Sequence, residues 1–241
     1  MSDSFTYDGV SSTAFGARVF PTDSMLKAPA RKYDNVTVPG RSGALLMDLA
    51  CYDNVQREYG VQIVGDTALS SFIALRNYLA SRSGYLRLTD TFDATHYYMA
   101  AYTEAFNLTA DWHSQKRGRG MIAFNCKPQR FLLSGETAVI LTADGSIINS
   151  TQFASKPLLR VTTTRSAASV LGVGSANITI MRQGVTYIDC ETGRAYNGAT
   201  AYDTYVSINT TDFPALMPGS NGIALGTGIS RVEITPRWWE L

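Results

Sequence analysis

The sequence predicts a mainly β fold that is divided into two domains and contains one α-helix. Short segments of alternating apolar and polar residues recur along the chain, and glycine, proline, asparagine and aspartate separate them. Only one segment has helical periodicity instead. A length of 241 residues is enough for two domains that each bury a core. We therefore expect strands arranged as sandwiches or barrels.

The clearest strand signals of the N-terminal half lie at residues 55–64 and 121–126. In the second segment, Ile122, Phe124 and Cys126 fall on one face, which predicts that this face is buried. Pro128 follows shortly afterwards and has no backbone N–H to donate to a ladder. The strand is therefore expected to stop there.

The one predicted helix covers residues 68–81, where apolar side chains recur at helical spacing. Asp66 or Thr67 can cap its first turn, and Gly84 lies just beyond its expected end. A single amphipathic helix in a β protein is expected to pack its apolar face against a sheet.

The C-terminal half has short strand signals and no helix signal. Residues 177–181 and 185–190 are predicted to form a hairpin, because Gly184 in the connecting segment can adopt a positive φ. Residues 229–235 alternate with the same period. These segments predict a second, all-β domain.

The boundary between the domains is predicted near residues 127–136, where Ser134, Gly135 and Glu136 resemble a linker. Before this segment lie the helix, both histidines and most of the aromatic residues. After it, glycine, threonine and serine dominate. The predicted domains are therefore residues 1–130 and 131–241.

The composition argues against several classes of protein. Charged residues make up 17% of the chain and the net charge is +1, so no strong field steers it toward nucleic acid or an anionic membrane. So little charge also suggests that partners cover part of the surface. No apolar run reaches the roughly 18 residues of a membrane span, and we expect no secretory signal. We expect synthesis and folding in a reducing cytoplasm, without membrane insertion.

The cysteines, Cys51, Cys126 and Cys190, are odd in number and far apart in sequence. This spacing argues against a disulfide framework and against a zinc knuckle. Nothing in the sequence places Cys51 beside a histidine to form a catalytic dyad. The prediction is three buried thiols, with no metal and no cofactor.

Asp90, Asp93 and His96 form the cluster that most resembles a catalytic or metal site. Two carboxylates and an imidazole this close in sequence are suited to acid–base chemistry or to metal binding. A polar turn, in which Asp90 or Asp93 bonds to nearby backbone, explains the same residues. No HExxH motif, second histidine or EF-hand spacing accompanies them, so the turn is the favoured interpretation. No catalytic residue is predicted.

Two further motifs have ordinary explanations. His113 precedes a basic cluster at residues 114–120, which is short and has only Trp112 beside it, so a hairpin tip that touches a neighbour is favoured over nucleic-acid binding. The segment Gly172-Val173-Gly174 lacks the third glycine and the helix of a dinucleotide site, so a turn is favoured there.

Pro39, Gly40 and Gly43 predict a sharp loop that holds Arg41 at its tip. Two interpretations of Arg41 are open. It is either a solvated arginine in an ordinary turn, or a fork that binds a carboxylate of a neighbouring subunit.

Trp238 and Trp239 stand side by side near the C-terminal end of the sequence. Chain ends fray unless something ties them down, and a buried indole removes about 150–250 Å² from water. We expect both indoles to be largely buried, on opposite faces of a final strand. Together with the Arg41 loop, they are the candidate assembly and structural residues.

Several segments, taken together and in order, resemble the distal tail proteins (Dit) of long-tailed (siphovirus) bacteriophages, which form the hub of the tail tip or baseplate. No single motif carries the resemblance; the ordered set spans nearly the whole chain. The segments are Arg31-Lys32-Tyr33 with Val38-Pro39-Gly40-Arg41-Ser42-Gly43, Val55-Gln56-Arg57-Glu58-Tyr59, Leu88-Thr89-Asp90-Thr91-Phe92-Asp93 with His96-Tyr97, Phe124-Asn125-Cys126-Lys127-Pro128, Pro218-Gly219-Ser220-Asn221-Gly222-Ile223 and Pro236-Arg237-Trp238-Trp239.

The resemblance implies a first domain with one helix that closes into a hexameric ring, and a second domain that is a galectin-like β-sandwich. It implies a virion protein at the distal end of the tail, with the tail tube protein and tail-tip, tail-associated or receptor-binding proteins as partners. The ring would leave a channel for DNA without binding nucleic acid specifically. The function implied is structural and not enzymatic.

The main alternative is a carbohydrate-binding, lectin-like module used in host recognition. A sugar site needs an aromatic platform with polar neighbours, and Tyr196, Tyr202 and Tyr205 form the one candidate cluster near one another in sequence. Strand packing explains these tyrosines equally well. An enzyme that uses Asp90, Asp93 and His96 is the weakest hypothesis.

Overall fold

The computed structural model describes residues 3–104, 106–110 and 116–241. Its architecture is mainly β with one α-helix, so the predicted fold class is confirmed. The chain forms two compact units, of which the first contains residues Met1–Arg130 with Leu241 and the second contains Phe131–Glu240. The helices described include none with the length and apolarity that a membrane span requires.

The first unit is built on an antiparallel sheet with the order β2-β1-β7-β8-β10-β6-β3, to which β9 adds by pairing with β10. The hairpin of β4 and β5 forms a separate two-stranded sheet. The helix is α1 (Ala68–Ala80), and short 3-10 helices lie at Ser12–Phe15 and Asp23–Leu26. The strands are β1 (Phe5–Tyr7), β2 (Val10–Ser11), β3 (Ala17–Phe20), β4 (Arg31–Thr37), β5 (Ala44–Tyr52), β6 (Val55–Val64), β7 (Leu86–Asp90), β8 (Asp93–Ala101), β9 (Asn107–Ala110) and β10 (Arg117–Leu132).

The core of the first unit lies where α1 packs against the sheet. Ile122, Phe124 and Cys126 are buried on one face of β10, as their alternation predicts. The buried side of α1 presents Phe72 and Leu79 to the same core, which confirms the predicted helix and its packing against a sheet. The buried apolar cluster is Phe5, Tyr7, Ala17, Val19, Tyr59, Val61, Ile63, Ala68, Phe72, Leu75, Leu79, Leu88, Tyr98, Ala100, Phe106, Ile122, Phe124 and Cys126.

Two local predictions for this unit are wrong. Thr67 is the N-cap residue of α1, but its side chain makes no capping hydrogen bond, because its backbone (φ −101°, ψ 12°) is not in the extended conformation of a capping residue. Pro128 does not end β10, which continues to Leu132. The ladder with β6 stops at the pair Cys126–Val55, so Pro128 removes no hydrogen bond from it.

The second unit is a β-sandwich of a six-stranded sheet, β11-β21-β13-β16-β17-β18, and a five-stranded sheet, β12-β20-β14-β15-β19. Both sheets turn one face toward a shared core, to which Leu159 and Ile234 contribute from the first and Leu171 and Ile178 from the second. The strands are β11 (Val139–Leu141), β12 (Gly145–Asn149), β13 (Leu158–Thr163), β14 (Ser169–Val173), β15 (Ala176–Ile180), β16 (Gly184–Asp189), β17 (Arg194–Asn197), β18 (Thr200–Ala201), β19 (Val206–Ile208), β20 (Gly219–Leu225), β21 (Ile229–Thr235) and β22 (Trp239–Glu240); 3-10 helices lie at Leu133–Glu136 and Asp203–Tyr205.

The predicted hairpin between residues 177–181 and 185–190 is wrong. Gly184 does adopt a positive φ of 104°, but it lies where the chain crosses from one sheet to the other. β15 pairs with β14 and β19, whereas β16 pairs with β13 and β17. The positive φ of Gly184 is therefore as expected, but the two strands that this turn connects belong to different sheets of the sandwich.

The prediction of three buried thiols is also wrong in one case. Cys126 and Cys190 are buried, and burial raises the pKa of each thiol to about 12. Cys51 is exposed, because it lies on β5, which pairs only with β4 in a separate two-stranded sheet. All three thiols are free.

Candidate functional site

The β4–β5 hairpin is the most exposed regular element of the described chain. Every residue from 31 to 51 is exposed, although this stretch contains a run of large apolar side chains on β5. An isolated two-stranded hairpin is only marginally stable in water, and natural sheets bury at least one face. An apolar arm of this kind indicates a surface that packs against another protein.

The register of the hairpin separates its residues into two faces, because residues directly opposite in an antiparallel pair point to the same side. Val36 pairs with Leu45, and Asp34 pairs with Met47. Leu49 follows Met47 by two residues and shares its side. We call Val36, Leu45, Met47 and Leu49 the apolar hairpin face; their exposed fractions are 37%, 43%, 50% and 50%.

The opposite face of the hairpin is polar and internally paired. The guanidinium of Arg31 donates to both carboxylate oxygens of Asp48, at 2.9 and 2.5 Å. Asp48 also accepts the backbone N–H of Ala50 at 2.9 Å, at the irregular step where Ala50 has a φ of 54°. Leu46, paired with Asn35, is the one large aliphatic side chain on this face and is 58% exposed.

The loop at the hairpin tip has the conformation that its sequence predicts. Gly40 and Gly43 have φ values of 80° and 82°, and Arg41 N–H donates to Val38 O at 3.2 Å. With Pro39 at the second position and Gly40 at the third, this is a type II turn. Arg41 is exposed and forms no ion pair with the described residues. Its role at a subunit contact stays a prediction.

The C-terminal segment is tied into the second unit by its indoles. Trp238 is 9% exposed and belongs to the sandwich core. Trp239 is half-buried; it stacks on Phe153 with ring centroids 4.4 Å apart, and its Nε1–H donates to Ala154 O at 2.9 Å. These contacts account for a docked chain end within one unit. An additional assembly role for either tryptophan stays a prediction.

Backbone hydrogen bonds and an ion pair also fix the C-terminal segment around Arg237 and Trp238. Arg237 adopts a φ of 57°, and its guanidinium binds both carboxylate oxygens of Asp189 at 2.7 and 3.2 Å. Its backbone N–H donates to Gly135 O at 2.9 Å, and Trp238 O accepts the N–H of Leu132 at 2.9 Å. Because a Cβ on Gly135 would overlap the backbone nitrogen of Trp238, this close approach requires glycine.

The Asp90 region is a structural polar network. Asp90 Oδ1 accepts the backbone N–H groups of Phe92 and Asp93 at 3.0 and 2.9 Å, which confirms the predicted turn. Its Oδ2 binds Arg57 Nη2 at 2.7 Å and Tyr59 Oη at 2.6 Å, deep inside the first unit. Arg57 also donates to Tyr98 Oη at 3.1 Å.

The sequence contained a signal for this network that residue types alone did not reveal. Arg57 lies on the inward face of β6, two residues before Tyr59 and four before Val61, which are all buried. A charged residue at a core position of an alternating strand predicts a buried partner. Which carboxylate serves as that partner is decided by the pairing of β7 with β8, which places Asp90 in the turn between them.

Asp93 and His96 extend the polar network toward the surface. His96 Nδ1 lies 2.8 Å from Asp93 Oδ1, and Arg130 Nη2 donates to Asp93 Oδ2 at 2.9 Å. Burial by itself raises the pKa of Asp93, but the hydrogen bonds from His96 and Arg130 outweigh it and hold the pKa below its ordinary value. The described residues contain no cluster suited to a metal ion. The arrangement stabilises the turn between β7 and β8.

The remaining sequence candidates are scattered. Trp112 and His113 lie outside the described residues, and the basic cluster beside them continues into β10, with Lys116 Nζ 2.8 Å from Asp66 Oδ1.

The three tyrosines considered as a sugar platform form two separate ring contacts in the second unit. Tyr196 stacks on Tyr187 at 5.6 Å, whereas Tyr202 and Tyr205 contact each other at 5.9 Å.

The fold of the chain is shared with phage tail proteins of known structure. The crystal structure of the SPP1 Dit protein (gp 19.1), a paradigm of the hub adsorption apparatus in phages that infect Gram-positive bacteria, matches with a TM-score of 0.74 at 14% identity, over 100% of both chains. The phage P2 baseplate in its activated conformation with Ca matches with a TM-score of 0.57 at 9% identity, over 97% of this chain and 98% of that chain. The same baseplate with Sr gives 0.56 at 8% identity, with 97% of each chain covered. No family model matches the sequence, and no curated protein matches it.

Proposed function

We propose that this protein is a structural component of a phage tail tip: a ring of identical copies, six in number, that joins the tail tube to the adhesion apparatus and leaves a central channel for DNA. The proposed role is mechanical and involves no catalysis. The shared fold with hub and baseplate proteins supports it. The proposed site of action is the distal end of the virion tail, after synthesis in the host cytoplasm.

The observation that carries the proposal is the uncovered apolar face of the β4–β5 hairpin. Four aliphatic or thioether side chains on one side of an exposed arm need a partner surface, and the described chain itself does not cover them. The polar side of the same arm is internally paired through Arg31 and Asp48. The hairpin therefore has one face for a partner and one face for solvent.

A second copy of the chain is the occupant that fits the proposal. The apolar face lies on an arm and a receiving surface would lie elsewhere, so the contact is heterologous, with different patches on the two copies. Heterologous contacts either close into rings or continue into filaments. In a closed ring every such surface is occupied, so assembly stops without aggregation. We assign ring formation to the first unit, which contains the hairpin.

The second proposed contact is Arg41 at the hairpin tip, which would bind a carboxylate of the neighbouring copy. Its backbone is fixed by a turn while its guanidinium is exposed and without an ion partner among the described residues. Arg41→Ala is expected to weaken assembly roughly tenfold or more while the monomer stays folded. Normal assembly of this variant would assign Arg41 to an ordinary solvated turn.

The proposal is tested by the size and shape of the purified protein. Light scattering of the protein alone should give the mass of six copies, or addition of the tail tube protein should give a complex that contains six copies. Negative-stain images should show a ring with a central opening. A protein that remains monomeric at high concentration under both conditions would refute the ring.

One observation favours a second candidate, a carbohydrate-binding role for the second unit. Tyr187 and Tyr196 stack side by side on the outward face of the six-stranded sheet, and Arg160, paired with Glu233, lies next to Tyr187. Stacked rings beside charged groups are the chemistry that a sugar platform needs. Glycan-array binding that is lost in Tyr187→Ala would support this role, and a blank array would leave the structural function alone.

A further inference from the structure

The outward face of the first unit's sheet contains a notch bordered by two exposed apolar side chains. Gly60 on β6 lies between Phe20 on β3 and Met121 on β10, in one row across the three strands. Phe20 is 46% exposed and Met121 is 49% exposed. A cavity of about 370 Å³ opens at Gly60, lined by Phe20, Gly60, Val61, Gln62, Arg119 and Gly120.

The glycine at the bottom of this notch is not required by the chain's own structure. Gly60 is absent from the residues with positive φ, so its backbone conformation is open to any residue. A Cβ built on it would lie 3.5 Å from Phe20 Cβ, which is ordinary van der Waals contact. A glycine inside a strand weakens it, and its recurrent use is to admit another group closely. The notch is therefore suited to receive a side chain from outside the sheet.

The row next to the notch is basic. Arg18 and Arg119 lie on either side of Gln62, which is two residues from Gly60 on β6. Both arginines are exposed, and within the described part of the chain neither forms an ion pair. An apolar notch beside two unpaired arginines fits an apolar side chain with a carboxylate near it.

The apolar hairpin face presents this combination. Met47 is half exposed, and Asp34 lies directly opposite it in the β4–β5 ladder. Asp34 is exposed and forms no ion pair with described residues. A methionine side chain is flexible and fills irregular gaps well. On the hairpin, the Cβ atoms of Asp34 and Met47 are about 5 Å apart. On the sheet, the row of Gly60 and the row that contains the arginines are about 7 Å apart. An arginine side chain is long enough to cover this difference of about 2 Å.

We infer that the notch at Gly60 receives Met47 from the hairpin of a second copy, and that Asp34 of that hairpin binds Arg18 or Arg119. The inference rests on the proposed ring and identifies the two surfaces that meet in it. The contact is heterologous, since arm and notch are different parts of the same first unit. Its specificity comes from a filled apolar cavity and an adjacent charge pair.

Filling the notch is the first test. Gly60→Leu should reduce ring formation at least tenfold in light scattering, while its melting temperature and circular dichroism stay those of a folded monomer. Gly222→Leu is the matched control, because Gly222 is an exposed strand glycine of the second unit that has no positive φ and nothing within 4 Å of the position that a Cβ would take. A Gly60→Leu protein that assembles like the wild type would overturn the inference.

Thiol cross-linking is the second test and does not depend on how Gly60→Leu folds. In a Cys51→Ser background, Met47→Cys with Gly60→Cys should form covalent multimers with a short bis-maleimide. The linker replaces the length of the methionine side chain, because packed β-layers lie about 10 Å apart and a direct disulfide needs Cα atoms about 4.4–6.8 Å apart. Leu46→Cys with Gly60→Cys, on the opposite hairpin face, should not. Rings without cross-links would overturn the inference and leave the proposed function intact, whereas a wild-type protein that never forms a ring would overturn both.

Discussion

The hairpin supplies the sharpest prediction about assembly. Replacing Leu45, Met47 and Leu49 together by threonine removes most of the apolar hairpin face and keeps the β propensity of the strand. Full burial of such a side chain is worth about 1.5–3 kcal/mol, and each is already roughly half covered in the monomer. The contact should therefore weaken by about 1 kcal/mol per residue, or about 3 kcal/mol for the three.

This loss corresponds to roughly a 100-fold weaker contact between copies, because each 1.4 kcal/mol is about a factor of ten. Sedimentation velocity across a range of protein concentrations measures it. The melting temperature of the monomer should stay nearly constant, since these side chains support no core.

Leu46→Thr is the control for the triple variant. It is in the same strand and is more exposed than any of the three, at 58%, but lies on the polar face. It should leave assembly unchanged. The reasoning is refuted if the triple variant assembles normally, or if Leu46→Thr is as damaging as the triple variant.

Three further predictions concern stability. Asp90→Asn should destabilise the first unit by about 3–5 kcal/mol in urea titration, because it leaves Arg57 charged and buried without its partner. The double variant Arg57→Met with Asp90→Asn should lose less stability than Asp90→Asn alone, and a larger loss would contradict this reasoning. Gly135→Ala should destabilise the second unit by about 1–3 kcal/mol in thermal unfolding, since the new Cβ overlaps the backbone of Trp238; an unchanged transition would show that this contact relaxes freely. Because the pKa of Asp93 is lowered in the folded protein, its contribution to stability is complete above about pH 4 and is lost as the pH falls toward the folded pKa. Asp93→Asn should therefore reduce the loss of stability below about pH 4. An unaltered dependence of stability on pH in this variant would contradict the reasoning.

The spacing of apolar residues predicted most of the strands and the helix, because it depends on which face of each element is buried. The period-two alternation of β6 and β21 gave both strands with their observed bounds, Val55–Val64 and Ile229–Thr235, since one face of each contacts a core. The helical spacing of α1 gave its existence and its buried face for the same reason. Of the candidate site, the turn around Gly40 was predictable because only glycine accepts its φ without strain.

Contacts between residues that are distant in sequence could not be predicted from local patterns. The assignment of β15 and β16 to different sheets depends on which strands they pair with, and a turn such as that at Gly184 does not encode this. The buried pair of Arg57 and Asp90 joins residues 33 positions apart, through the register of the sheet.

Periodicity and turn chemistry are local properties of the chain, so they were enough to predict a mainly β structure with one helix. Which apolar residues stay outside a core depends instead on how the strands pair and pack in three dimensions. Leu45, Met47 and Leu49 look in sequence like any buried strand, and Cys51 like any buried thiol. They are exposed because β4 and β5 pair only with each other in a separate sheet. Burial depends on what lies opposite a residue in space, and in the described chain these three apolar side chains stay 43–50% exposed.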